Sequence, residues 1–298
     1  MSRILVLGSI NIDNVAYTKV LPQPGITVQG DSFLSNIGGK GANQACAAHF
    51  LGADVMFVGA VGKDDNGQRV EKFFDTLGLH YHLVKSKLST GVALIIIDEA
   101  NAENRILCVP GANHDIKKED IDEVENHMQN GDILLVQLET NIDTVIHAMK
   151  KAKEKGLTVI LNPAPYHELP ESCFPYIDYF IPNEHELDSF VPGEGTPEIK
   201  AKYLVSRGSK NVIVTLGENG SIYVNKEEAC PISPRKVKAV DTTAAGDSFC
   251  GSFAVAISKG RSLKEALRFA TLCSSIAVTR KGAISSLPRM DEVIGLVD

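Results

Sequence analysis

Val240-Asp241-Thr242-Thr243-Ala244-Ala245-Gly246-Asp247-Ser248-Phe249-Cys250-Gly251-Ser252 opens on a carboxylate, runs through small side chains and sets a second carboxylate at a helix start. Small residues leave backbone N–H groups bare, and a helix N-terminus carries roughly half a positive charge. Such a turn can hold an anion beside the carboxylate of Asp247.

Working outward, short apolar runs alternate with helical patterns. Ile4–Leu7, Val55–Val58, Ile133–Leu138 and the segments 157–161, 179–181 and 212–216 read as buried strands of a parallel sheet. Gly38-Gly39-Lys40-Gly41-Ala42-Asn43 opens an Ala-rich helix that Gly52 stops. Val70, Phe73, Phe74 and Leu77 form one helix face ending at Gly78, and Ile142, Val145, Ile146 and Met149 form another. Thr196-Pro197 reads as N-cap and N1, and Ser262 with Glu265 as a capping box on the last helix. The alternation predicts a three-layer α/β/α fold with a mostly parallel central sheet. Two regions, about 12–37 and 90–110, read instead as hairpins and predict a small separate β-sheet carried as a lid on a single domain spanning 1–298. The second hairpin turns through the polar segment 98–104.

The 298 residues suffice for one full core, with 44% hydrophobic and 22% charged residues. A net charge of -7 argues against nucleic acid or an acidic membrane as the main partner. No apolar run approaches the ~20 residues of a membrane span. Met1–Gly8 runs straight into a strand without a secretory cleavage site. Cysteines 46, 108, 173, 230, 250 and 273 lack CxxC spacing, which points to reduced thiols and a cytoplasmic setting.

In open parallel sheets ligands sit beyond the carboxyl ends of the strands. There the sequence places Asn11 and Asp13, Glu139, Asn162, Asn183 with Glu186, and the run Thr215-Leu216-Gly217-Glu218-Asn219-Gly220. Each of these alone is as well explained by helix capping; their gathering on one edge is not. Gly38–Gly41 is neither a Walker A loop nor a dinucleotide-binding loop, and taken alone is a tight turn into a helix. Asn183-Glu184-His185-Glu186 lacks a second His at helical spacing, so its oxygen donors suit Mg²⁺ through water better than zinc.

Gly38-Gly39-Lys40-Gly41-Ala42-Asn43-Gln44-Ala45 and Asp241–Phe249 resemble the two diagnostic motifs of the ribokinase (PfkB-type) sugar kinases. Asn183–Glu186, Thr215–Gly220 and Val278-Thr279-Arg280-Lys281-Gly282-Ala283 fit the same pattern, so the likeness spans the chain. Within the family, Gly8–Asp13, Val136–Glu139 and Leu161–Pro165 resemble the ribokinases themselves. The resemblance implies ATP-dependent phosphorylation of the 5-hydroxyl of D-ribose, with Asp247 as general base and the amides of Ala244, Ala245, Gly246 and Asp247 as an anion hole. It implies a sugar site from Asn11, Ile12, Asp13, Gly39, Lys40, Gly41, Ala42, Asn43 and Glu139. The nucleotide would lie on Asn183, Thr215–Gly220, Gly246, Asp247 and Thr271, with Mg²⁺ organised through water by Asn183 and Glu186. A K⁺ ion would sit among Asp241, Thr243, Ala277, Arg280, Gly282 and Ser286, and two copies would pair through the lid into a homodimer. Alternatives are a kinase of 2-deoxyribose, another pentose or a nucleoside, and a non-catalytic sensor of sugar or nucleotide. Many family members carry Gly where this chain has Ala244; an alanine there is expected to restrict the backbone and exclude positive φ at little cost while leaving the N–H in place.

Overall fold

The structure, a computed structural model, describes residues 2–98, 100 and 103–296, so positions 99, 101 and 102 of the expected polar turn lie outside the described residues. In chain order the strands are β1 (Ile4–Leu7), β2 (Asn11–Thr18), β3 (Ser32–Gly38), β4 (Val55–Gly62), β5 (His80–Ser86), β6 (Gly91–Asp98) and β7 (Glu103–Val109). They continue as β8 (Ile133–Val136), β9 (Thr158–Leu161), β10 (Tyr179–Phe180), β11 (Asn211–Thr215), β12 (Ser221–Val224) and β13 (Ala229–Ile232). The helices are α1 (Lys40–Phe50), α2 (Asp65–Leu77), α3 (Lys118–Val124), α4 (Ile142–Glu154), α5 (Glu184–Phe190), α6 (Pro197–Ser206), α7 (Ala245–Ser258), α8 (Leu263–Ala277) and α9 (Met290–Val293).

The main sheet runs β13-β12-β11-β10-β9-β8-β1-β4-β5 and is parallel from β11 through β5. β12 and β13 add an antiparallel edge. Because successive side chains on a strand point to opposite faces, Ile4 and Val6 enter one core with Phe74, Phe253 and Phe269 from α2, α7 and α8. Leu5 and Leu7 enter the other, with Val145, Leu187 and Leu204 from α4, α5 and α6. Both faces are covered, which is why these strands read as unbroken apolar runs rather than alternating ones. The expected three-layer α/β/α architecture is the one observed.

The second sheet has the order β3-β2-β6-β7. The two hairpins are joined by a parallel β2–β6 pairing that runs from Asn11↔Gly91 to Thr18↔Asp98. β2 leaves the main sheet only three residues after β1, through Gly8-Ser9-Ile10, so the small sheet is rooted directly over the carboxyl end of β1. Gly52, Gly78, the Thr196 N-cap with Pro197 and the Ser262–Glu265 capping box take the expected places, although α9 follows the helix expected to be last.

Candidate active site

The loop that leaves β1 and the loop that enters α1 interlock. Gly39 adopts φ 89, and a Cβ there would stand 2.8 Å from the Asn11 amide nitrogen, so only glycine fits. A Cβ on Gly41 would meet the backbone of Gly8 and Ser9 at 2.5–2.6 Å. This contact lets Ala42 N donate to Ser9 O at 2.9 Å and fixes the start of α1 against the sugar-site candidates.

Around that knot gather the carboxylates. Glu139 Oε2 accepts from Ser9 Oγ at 2.5 Å and from Lys40 N at 3.1 Å. Asp13, on β2, has its carboxyl pushed up from 3.8 to about 7, first by burial and then by the nearby charges of Glu139 and Asp247. Burial would lower the Lys40 ammonium, but Asp247, Glu139 and Glu186 outweigh it and the net shift is upward. Asn11 is held by Asn113, whose Nδ2 donates to Asn11 Oδ1 at 2.9 Å and whose Oδ1 accepts from Ile10 N at 2.9 Å.

Asp247 is buried in the first turn of the 14-residue helix α7. Its Oδ2 accepts from Asn43 Nδ2 at 2.8 Å, and its Oδ1 from Gln44 Nε2 at 3.0 Å. Asn43 Oδ1 is buried with no hydrogen-bond partner among the described residues. The turn before the helix departs from expectation. Ala244 takes φ 58 and ψ 13, so the alanine has not excluded the left-handed region. That conformation costs about 1–2 kcal/mol, offset where the reversal places Ala245 N on Thr242 O and Ser248 N on Ala244 O. Ala245 N is thus engaged at 3.2 Å, while among the described residues no protein acceptor takes the amides of Ala244, Gly246 or Asp247. Of the four amides expected to form an anion hole, three are left open to a ligand.

A cavity of about 180 Å³ joins these groups; Lys40, Asn183, Glu186, Thr215, Ala244–Asp247 and Cys250 line it together with Asn162. Asn183 and Glu186 form a reciprocal capping box at α5, with Glu186 N donating to Asn183 Oδ1 at 2.8 Å and Asn183 N to Glu186 Oε2 at 2.9 Å. Burial raises the Glu186 carboxyl. Leu216, Gly217, Glu218, Asn219 and Gly220 form a turn outside this cavity, closed by Leu216 N donating to Gly220 O at 2.8 Å. Thr271 lies on α8 with its hydroxyl turned back to Leu267 O at 2.8 Å, and it too is outside.

Asp241 clasps two loops. Its Oδ1 accepts from Thr243 N and its Oδ2 from Gly282 N, both at 2.9 Å, and these bonds outweigh burial to hold its carboxyl low. Arg280 turns its guanidinium away to Glu292. Among the described residues no set of three or more His, Cys, Asp or Glu side chains forms a metal cluster.

Sequence reasoning did not single out Ser9, Gln44, Gln137 or Asn113 for the site. Gln137 carried the clearest signal, a polar residue inside the run Ile133–Leu138 that must find a buried partner.

The profile of the pfkB family carbohydrate kinases matches residues 1–290. A ribokinase of Schizosaccharomyces pombe is 41% identical over 99% of this chain and 98% of its own. A deoxyribokinase of Salmonella typhimurium is 36% identical over 97% and 96%. The structure of Arabidopsis thaliana ribokinase complexed with ribose and ATP superposes with a TM-score of 0.89 at 32% identity, covering 100% of this chain and 99% of that one. The knot of glycine loops, the buried carboxylate on α7 and the open amides beside it therefore sit in a chain that belongs to the pfkB family of carbohydrate kinases.

Proposed function

We propose that the protein is a ribokinase, transferring the γ-phosphoryl group of ATP to the 5-hydroxyl of D-ribose. The observation that carries this is the buried Asp247 carboxylate facing the same cavity as three amides without protein acceptors among the described residues. The carboxylate accepts the hydroxyl proton as the sugar oxygen bonds to phosphorus and the bond from phosphorus to the ADP oxygen breaks. Little covalent help is needed in phosphoryl transfer; charge stabilisation and positioning dominate. The amides of Ala244, Gly246 and Asp247, at the positive end of α7, would meet the equatorial oxygens, and Lys40 would add a cation across the cavity. Asp13 and Glu139 are acceptors for sugar hydroxyls. Mg²⁺ with the nucleotide would be steadied through water by Glu186 and Asn183, and K⁺ by Asp241 with the neighbouring carbonyls. The metal ions supply charge neutralisation on the phosphates.

The small sheet would close over the sugar and exclude water. It exposes Phe33, Leu94, Ile106 and Leu107, an apolar surface that a second copy would cover in a homodimer. No helix among the described residues is long and apolar enough to cross a membrane; a cytoplasmic enzyme fits the unpaired cysteines.

A 2-deoxyribose kinase is the second reading, supported by the Salmonella relative. ADP release measured with ribose, 2-deoxyribose, fructose, fructose 6-phosphate and adenosine, in K⁺ and in Na⁺, decides between them. Ribose should be preferred and K⁺ should stimulate. Asp247→Asn should lower kcat by about 10²–10⁴-fold while nucleotide still binds, and substantial residual turnover would remove Asp247 as base.

A further inference from the structure

Behind Asp247 lies a chain of buried amides that begins at Asn162 on the cavity wall and runs inward through Gln44 to Gln137. Asn162 Nδ2 donates to Ile181 O at 2.9 Å. A backbone carbonyl can only accept, so this bond fixes the Asn162 amide with its Oδ1 turned toward Gln44. Gln44 Nε2 donates to that Oδ1 at 3.1 Å and, with its second hydrogen, to Asp247 Oδ1 at 3.0 Å. Gln44 Oε1 in turn accepts from Gln137 Nε2 at 2.6 Å. Gln44 and Gln137 are wholly buried and Asn162 nearly so. The polarity of the chain runs one way from the Ile181 carbonyl, and reversing Gln44 would set oxygen against oxygen at both Asn162 and Asp247.

We infer that Gln44 is a positioning residue for the catalytic carboxylate: the anchored Asn162 locks it as a donor to Asp247 Oδ1, with Gln137 donating to its Oε1, which orients the carboxylate toward the sugar hydroxyl and favours its proton-accepting form. The inference rests on Asp247 being the base. It assigns a task to the glutamine that follows Asn43 on α1, a residue otherwise turned away from the ligands. Three charged groups approach Asp247 from other elements: Asp13 on β2, Lys40 on α1 and Glu186 on α5; Cys250 adds a thiol on its own helix. Two of the three are acidic, so a fixed neutral donor matters more here than it would beside additional cations.

The test is the pH dependence of kcat, which reports groups in the enzyme–substrate complex, for wild type, Gln44→Met and Gln44→Glu. Loss of a hydrogen bond to a charged group predicts a kcat lower by about tenfold or more in Gln44→Met. The acid limb of its profile should move up by about one pH unit, with KM for ATP within about twofold of wild type. Gln44→Glu, which puts an acceptor against an acceptor, should move the limb further. Should substitution at 44 prevent folding, Gln137→Met touches neither Asp247 nor the sugar and should move the limb in the same direction by a smaller amount. An acid limb that stays in place, even with kcat reduced, overturns the inference and leaves Gln44 a packing residue. Asp247→Asn in the same series separates the two ideas. If it is inert while the Gln44 limb stays fixed, only the positioning role falls; if it turns over like wild type, the base assignment falls and the inference with it.

Discussion

Replacing Asp13 by asparagine should stabilise the sugar-free protein at neutral pH while weakening sugar binding. The Asp13 carboxyl lies at the root of the small sheet, and burial with Glu139 and Asp247 pushes it up from 3.8 to about 7. Between those values the folded protein holds a proton that the unfolded chain has released, so stability falls as pH rises. It falls progressively from about pH 4 and levels off above about pH 7. The full difference corresponds to ~4 kcal/mol, and because Asp13 is only half-buried, solvent screening reduces it to about 2–4 kcal/mol. Asparagine keeps the shape and cannot ionise. Urea denaturation of both proteins without sugar should give a gap of no more than about 1 kcal/mol near pH 4.5 and of about 2–4 kcal/mol in favour of Asp13→Asn at pH 8.5. The price appears in catalysis: a sugar hydroxyl loses a charged acceptor, and KM for the sugar should rise about tenfold or more. A stability difference that does not change with pH would refute the reasoning, because it would mean that Asp13 is not the group being titrated.

Three other substitutions test the frame around the site. Ala244→Val places a β-branched side chain at φ 58 and should destabilise by about 1–2 kcal/mol and slow turnover, whereas Ala244→Gly should be neutral or about 1 kcal/mol more stable in thermal melts; a silent valine would show that the reversal is not strained. Gly41→Ala drives a methyl into the backbone of Gly8 and Ser9 and should cost about 1–3 kcal/mol, with loss of sugar affinity by calorimetry. Asp241→Ala removes the acceptor shared by Thr243 N and Gly282 N, which should lower the urea midpoint by an amount equivalent to about 1–2 kcal/mol at pH 7. Its carboxyl is held low, so that contribution is present above the ordinary carboxylate range and fades as pH falls below it. The same variant should lose stimulation by K⁺, and stimulation that survives would move the cation elsewhere.

What the sequence revealed of this fold follows from which residues are buried on two sides. β1, β8, β9 and β11 are covered by helices on both faces, so their apolar runs are continuous and identify themselves. β5 is an edge strand, His80–Ser86, whose side chains are mostly half-buried, and β12 and β13 form the opposite edge; none of the three leaves a comparable run. The two hairpins were legible as a unit apart from the main sheet, but not the parallel β2–β6 pairing that joins them, because strand order depends on contacts between residues about eighty apart. The conformation of Ala244 was hidden for a related reason: the residue type argues against positive φ, and only the bonds to Thr242 and Ser248 around it favour the reversal.

The site divides along the same line. Groups that present charge or bare amides to a ligand stand out in a sequence, because an exposed rim rich in Asp, Asn and Gly has few structural uses. Groups that hold those residues do not stand out, since Ser9, Gln44, Asn113 and Gln137 are ordinary polar residues until their partners are known. Their common property is near-complete burial, and a buried amide must satisfy its hydrogen bonds or cost several kcal/mol. Asn113 meets this demand by fixing Asn11 and Ile10, and Ser9 by fixing Glu139. Gln44 meets it by spending one hydrogen on Asn162 and the other on Asp247. The carboxylate on α7 is therefore held from behind by Gln44, whose sense Asn162 fixes, while on the cavity side the amides of Ala244, Gly246 and Asp247 have no protein partner among the described residues.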